Sequence, residues 1–237
     1  MLSIIIPSLN EEKYLPLLLE SVNKQNFSDY EIILADAGSK DKTIKIAEKY
    51  NCKIVAGGMP ARGRNEGAKK AQGDILFFVD ADVILPDNFL QNTLNEFNKK
   101  NLDIASFCLF PLNKNKIQKF LLDFFYNKPI IILENILPHA AMGIIVKKTL
   151  FEKVGGFDEE VKIAEDHYFA RVAKKKFKAK TGIIRSTHLL ISDRRFKTDG
   201  WLRTGLKYFL CEMYMIFIGP PKSNLFVYKF NHYDKNK

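Results

Sequence analysis

The stretch Gly73-Asp74-Ile75-Leu76-Phe77-Phe78-Val79-Asp80-Ala81-Asp82 decides how this chain is read. Asp74–Val79 is nearly continuous apolar sequence, without the alternation of a strand that keeps one face wet. It predicts a strand buried on both faces of a sheet, and two carboxylates follow it directly. Working outward, Ser3–Ile6, Glu31–Ala35 and Lys53–Ala56 read as three more strands. Between them lie helical stretches: Glu11–Lys24, with Leu15, Leu18, Leu19 and Val22 on one face, Lys42–Tyr50 behind a cap from Ser39 or Asp41, and Arg64–Gln72. Apolar strands separated by helices imply an α/β fold with a parallel sheet covered on both sides. After Asn101 the regularity fades. Leu102–Phe110 and Gly143–Val146 read as strands, and Lys116–Tyr126, Ala164–Lys175 and Thr198–Ile218 as helices. No internal repeat or low-complexity linker divides the chain, so one domain is expected.

The 237 residues are 46% hydrophobic and 27% charged, which excludes a disordered chain and a disulfide-stapled miniprotein. The net charge is +10. Phe169–Leu210 alone carries twelve Lys/Arg against Asp193 and Asp199, an excess equal to that of the whole chain. Such an excess points to an anionic partner. Cys52, Cys108 and Cys211 are widely spaced and form no CxxC pair, so buried thiols in a reducing compartment are expected. No basic segment with a long apolar run opens the chain, so no signal peptide is expected, and no apolar run reaches eighteen residues. Ile117–Leu137 and Leu206–Ile218 are apolar but interrupted by charge. They either lie in the headgroup layer of an anionic membrane or pack on each other or on a second copy.

In parallel sheets, ligands bind at the loops after the carboxyl ends of the strands. Here those loops are Pro7-Ser8-Leu9-Asn10-Glu11, Asp36-Ala37-Gly38-Ser39-Lys40-Asp41 and Asp80-Ala81-Asp82. Two carboxylates directly after a buried strand repel each other unless a cation joins them, and Mg²⁺ or Mn²⁺ takes a few carboxylate oxygens together with phosphate. Asp80 and Asp82 therefore read as a metal–diphosphate clamp. Nucleic acid is excluded as the anionic partner, because these carboxylates would repel its backbone.

The stretches Ser3–Glu12, Asp36–Thr43, Arg64–Ala68, Gly73–Asp82, Lys148–Asp158 and Ala164-Glu165-Asp166 occur in an order that resembles family 2 glycosyltransferases of the GT-A fold, over residues 2 to 205. The resemblance implies a metal-assisted, inverting transfer from a UDP- or GDP-linked sugar by a hexosyltransferase. It also implies a Rossmann-like, mostly parallel sheet with helices on both faces. Residues 1–110 would form the nucleotide-sugar half, 111–205 the acceptor half, and 206–237 a basic, apolar tail. Pro7, Leu9, Glu11 and Asp36 resemble the positions that line base and ribose, with Ala37 where a second aspartate is common. Arg64 would approach the nucleotide or its diphosphate, Asp80 would meet ribose and metal, and Asp82 the metal. Asp166 resembles the general base. Arg194-Arg195-Phe196 and Gly200-Trp201 resemble the segment that closes over the diphosphate. A glutamine that contributes a metal ligand in some relatives is Ile84 here, and His188 is a candidate substitute. His139 is an acceptor-side candidate. The expected enzyme is cytoplasmic, peripheral at the membrane, and its acceptor is lipid-linked or a soluble sugar or protein. The rival reading is a haloacid-dehalogenase-like phosphatase, in which Asp80 would attack phosphate.

Overall fold

The computed structural model describes residues 1–113, 115–192, 194 and 200–222. Eight strands form one sheet: β1 (Leu2–Ser8), β2 (Tyr30–Asp36), β3 (Lys53–Ala56), β4 (Ile75–Val79), β5 (Val83–Ile84), β6 (Ile104–Pro111), β7 (Gly143–Lys147) and β8 (Thr181–Ile191). Their order across the sheet is β3-β2-β1-β4-β7-β6-β8-β5. The β3-β2-β1-β4 portion is parallel throughout, and β6 pairs with β8 in parallel. β7 lies antiparallel between β4 and β6, and β5 antiparallel on β8, so the sheet is mixed with a parallel N-terminal half.

Helices α1 (Leu15–Asn23), α2 (Thr43–Lys49), α3 (Pro60–Lys70), α4 (Phe89–Lys99), α5 (Lys116–Leu122), α6 (Lys128–Leu133), α7 (Lys148–Val154), α8 (Glu165–Phe177) and α9 (Trp201–Phe217) complete the described residues. The period-two alternation of β1 and β4 splits the core between the two faces. Ile4, Ile6, Phe77 and Val79 meet Leu15, Leu18, Leu19 and Val22 of α1 and Phe89 and Phe97 of α4. Ile5, Leu76 and Phe78 face the other way, toward Ala61 and Ala68 of α3, Phe151 of α7 and Phe169 of α8. A fully buried Phe such as Phe77 or Phe78 contributes about 3–5 kcal/mol against truncation to Ala. Gly67 lets α3 lie close against β1, because a Cβ there would collide with Ile5. That close approach sets the depth of Arg64, three residues earlier on the same helix.

Several elements differ from the sequence reading. The helix expected from Glu11 begins at Leu15, with Pro16 in its first turn, because Glu11 is drawn into the strand-end rim. The helix expected from Arg64 begins at Pro60, which supplies a preset φ at its start. Neither Ser39 nor Asp41 is the N-cap of α2: that position is Lys42, without a side-chain cap bond, and Asp41 just before it accepts from the Thr43 N–H at 2.9 Å. The helix expected over Lys116–Tyr126 is interrupted by a π-helical turn at Asp123–Asn127. There the buried Asn127 amide donates to the Leu109 carbonyl at 2.9 Å and accepts from its N–H at 2.8 Å, tying the turn to β6. No element was expected for α4, α7 or β8. In β8 the apolar pattern is broken by exposed Arg185 and Ser186, near the register shift against β6 at Phe107/Cys108.

Candidate active site

Register brings the three expected loops together. Ser8 pairs with Asp36 across β1 and β2, and the Ser8 hydroxyl donates to Asp36 Oδ1 at 3.2 Å. Asp36 Oδ2 accepts from the Gly38 and Ser39 N–H groups, both at 2.8 Å, in a turn where Gly38 sits at φ +91°. The carboxylate is therefore fixed by its own loop, beside half-buried Pro7 and Leu9.

Asp80 follows β4, and its N–H donates to the Met142 carbonyl at 3.1 Å. Arg64 lies beneath it, 5% exposed, with Nη2 2.8 Å from Asp80 Oδ1 and Nη1 hydrogen-bonded to Glu165 Oε1. The sequence reading brought Arg64 toward the nucleotide. Its guanidinium lies at the floor of the site and grips two carboxylates, those of Asp80 and Glu165. The role of Glu165 had no counterpart in the sequence reading; only its place beside Asp166 hinted at the site.

Asp82 is 5% exposed. Its Oδ2 accepts from Ser192 Oγ at 2.8 Å and pairs with Arg194 Nε at 2.8 Å. Arg194 also forks onto Glu11, with both Nη–Oε distances 2.8 Å, and its guanidinium lies 5.2 Å from the Tyr14 ring centre. Burial pushes the Glu11 carboxyl up to about 7 against the pull of Arg194, and nearby Asp82 and Asp80 push in the same direction. Arg195 lies outside the described residues.

Glu165 and Asp166 open α8, where a helix N-terminus favours negative charge. Asp166 Oδ1 accepts from the His167 N–H at 2.8 Å. Burial lifts the Asp166 carboxyl to about 6, with Arg64 pulling it down and Asp80 pushing it up. Burial likewise raises Glu165. Asn10, Met142 and Ala164, each beside one of these carboxylates, hold left-handed backbone at φ 55°, 58° and 58°. Non-glycine residues in that region cost about 1–3 kcal/mol each and cluster at functional sites.

His188 is not brought to this rim. It lies in β8, four residues before Ser192, a separation of about 13 Å along a strand. Its ring packs on Phe110 with centres 4.6 Å apart, and burial lowers its pKa. Ser192 is the β8-side residue that reaches Asp82. His139, the acceptor-side candidate, faces Glu212 on α9 and packs on the ring of His167, the neighbour of Asp166.

For a divalent cation, the Arg64 and Arg194 pairs engage Asp80 Oδ1 and Asp82 Oδ2. The second oxygen of each carboxylate remains outside those pairs. Two hard oxygen donors on adjoining strand ends fit Mg²⁺ or Mn²⁺, with phosphate and water completing the shell.

A mixed sheet with a parallel N-terminal half, an Asp-x-Asp rim and a buried acid on the first turn of a facing helix defines the GT-A class of transferase. The chain belongs to glycosyltransferase family 2: the family model described as glycosyl transferase family 2 matches residues 3–156. It is 28% identical over 182 residues to the poly(ribitol-phosphate) beta-N-acetylglucosaminyltransferase TarS of Staphylococcus aureus, across 72% of this chain and 32% of that protein. An uncharacterised Haemophilus influenzae glycosyltransferase is 30% identical over 182 residues, 71% of this chain and 60% of its own length. The chain thus spans about a third of TarS. The structure of TarS residues 1–349 with UDP-GlcNAc aligns at TM-score 0.64 and 25% identity, over 81% of this chain and 58% of that one. The Pyrobaculum calidifontis mannosyltransferase with GDP-Man and Mn²⁺ aligns at TM-score 0.68 and 17% identity, over 88% and 64%, and shares the fold. With the family assigned, the phosphatase reading of Asp80 falls. In the structure Asp80 pairs with Arg64 at the centre of the sheet, rather than standing at the end of an opening strand.

Proposed function

We propose that this chain transfers a hexosyl group from a UDP- or GDP-linked sugar to an acceptor hydroxyl with inversion, Asp166 serving as general base. The observation that carries this reading is the half-buried Asp166 carboxyl on the first turn of α8, lifted to about 6 and under the influence of Arg64 and Asp80. A base of that pKa is mostly ionised at pH 7 yet still accepts a proton readily. The acceptor oxygen bonds to the anomeric carbon as the bond from that carbon to the diphosphate breaks. The electron pair leaves with the nucleoside diphosphate, and the hydroxyl proton passes to Asp166, an assistance typically worth about 10²–10⁴ in rate. Asp82 and Asp80 would hold a Mn²⁺ or Mg²⁺ ion, which when bound stabilises charge on the diphosphate. Pro7, Leu9, Glu11 and Asp36 would line base and ribose. Arg194 would turn from Glu11 and Asp82 to the diphosphate.

Among the described residues no helix is long and apolar enough to cross a membrane. Exposed Phe120, Phe124, Phe125 and Ile136 alternate with exposed Lys116, Lys119 and Lys128, and α9 exposes Phe209, Phe217 and Ile218. These surfaces support a peripheral position at the cytoplasmic face of an anionic membrane and a lipid-linked acceptor. The test of activity is nucleotide release from UDP-GlcNAc, UDP-glucose and GDP-mannose with Mn²⁺, alongside thermal stabilisation by UDP and GDP. Release from at least one donor, with stabilisation that requires Mn²⁺, is the expected result. Stabilisation by phosphate analogues alone would refute the reading.

A further inference from the structure

A second cluster lies away from the Asp80/Asp82 rim. His139 precedes β7, His167 stands on α8, and Glu212 comes from α9. His139 Nδ1 is 2.9 Å from the Leu137 carbonyl, an acceptor only, so that nitrogen carries the hydrogen. In a neutral ring Nε2 is then a bare lone pair, yet it faces Glu212 Oε1 at 3.1 Å. His167 Nδ1 faces Glu212 Oε2 at 3.5 Å, and both of these atoms are buried without a hydrogen-bond partner. The two rings are 4.9 Å apart at 72°, and one donor atom from each of the three residues lies within 4.8 Å of the others.

The His139 Nε2 lone pair turned toward the Glu212 carboxylate requires positive charge between them, either a proton on the ring or a cation. Two imidazoles and one carboxylate form a donor set that suits Zn²⁺ and its borderline neighbours better than Mg²⁺. Tetrahedral ligation with bonds of about 2.0–2.1 Å sets donor atoms about 3.3–3.4 Å apart, and one donor atom of each residue already lies within 4.8 Å of the others. The outer shell is also present: the Leu137 carbonyl fixes the His139 tautomer, and Arg171 hydrogen-bonds Glu212 Oε1.

We propose that His139, His167 and Glu212 bind a zinc-class transition-metal ion that clasps α9 to the helix bearing Asp166. Ligation through His167 Nδ1 places that ring's hydrogen on Nε2, the nitrogen facing Asp166 Oδ1 at 4.0 Å. The clasp needs no donor-side carboxylate, so its test is made on chelator-stripped Asp82→Asn protein, in which the rim site is removed. The probes are Zn²⁺, counted by elemental analysis, and Co²⁺, whose visible absorption is strong only in tetrahedral sites. One ion per chain is expected, with a tetrahedral cobalt spectrum that Zn²⁺ displaces. At least a tenfold loss of affinity is expected in His139→Ala and in Glu212→Gln. Zn²⁺ is also expected to raise the melting temperature of the parent but of neither variant. Because the cobalt spectrum reads the site without a histidine change, a variant that fails to fold leaves the test intact. Absence of that spectrum, or Zn²⁺ affinity unchanged in both variants, overturns the proposal and leaves a protonated imidazole–carboxylate cluster.

Discussion

Arg64→Met is the sharpest perturbation of the site. The substitution keeps the helix propensity and much of the apolar stem but deletes the fork between Asp80 and Glu165. Arg64 is 5% exposed, and Glu165 is buried with it, so the change strands a carboxylate where water cannot replace the lost partner. Removing one member of a buried pair costs about 3–5 kcal/mol. The cost must depend on pH, with a definite sign. Glu165 already titrates above its ordinary value because of burial, while Arg64 holds it down. Without Arg64 its folded pKa climbs further above the unfolded one. The folded state then binds the proton more tightly than the unfolded state, so the deficit grows as pH rises above about 4.5 and shrinks as pH falls toward it. Urea unfolding of parent and variant at pH 5 and pH 8 reads both features. Arg64→Lys, which keeps one charge but cannot fork, should fall between the two. A deficit below about 1 kcal/mol, equal at both pH values, would refute the buried fork and with it the placement of Asp80.

Other outcomes bear on chemistry and location. Asp82→Asn should fold normally and lose Mn²⁺-dependent UDP or GDP binding by calorimetry; unchanged affinity would refute the metal role. Asp166→Asn should keep donor affinity and lose about 10²–10⁴ of turnover, and collapse of donor binding instead would move Asp166 to the donor site. In the parent, donor turnover should rise with pH through about 6, because burial lifts the Asp166 carboxyl to about 6 and only its ionised form accepts a proton. Phe209→Ser with Phe217→Ser should lower co-sedimentation with anionic liposomes at high salt; no binding of the parent at low salt would refute the membrane reading.

The N-terminal half was legible because its signals are local. β1, β2 and β4 carry apolar runs that end in carboxylates, and β1–β2 register alone brings Ser8 beside Asp36. What could not be read depends on contacts across long stretches of chain. Arg64 was noticed as a cation, but its direction follows from Gly67 packing on Ile5 and from Glu165, 101 residues away. Ser192 meets Asp82 only because β5, two residues long, pairs with the end of β8, a strand whose pattern Arg185 and Ser186 interrupt. His188 drew attention as a late histidine. In a strand, position sets which end of the sheet a side chain can reach, and His188 sits too far from the end to meet the rim.

The charge of the rim explains why donor and cation would have to arrive together. Among the described residues, the rim gathers Glu11, Asp36, Asp80, Asp82, Glu165 and Asp166, and four of these pair with the guanidiniums of Arg64 and Arg194. The surplus is negative, although the chain as a whole is +10. After burial, Asp80 is among the groups that push both the Glu11 and Asp166 carboxyls upward. A diphosphate approaching this surface alone meets repulsion, and the long-range attraction of the basic C-terminal third decays within a Debye length of about 8 Å. On the proposed reading, Asp80 and Asp82 would hold a divalent cation that supplies positive charge to the diphosphate, and Arg194 would be free to turn from Asp82 toward the phosphates. With its charge offset in that way, Asp80 would push Asp166 upward less, and the base would stay ionised to lower pH. On that reading, the carboxylate cluster that looks hostile to a phosphorylated donor would be the feature that makes donor binding depend on the metal.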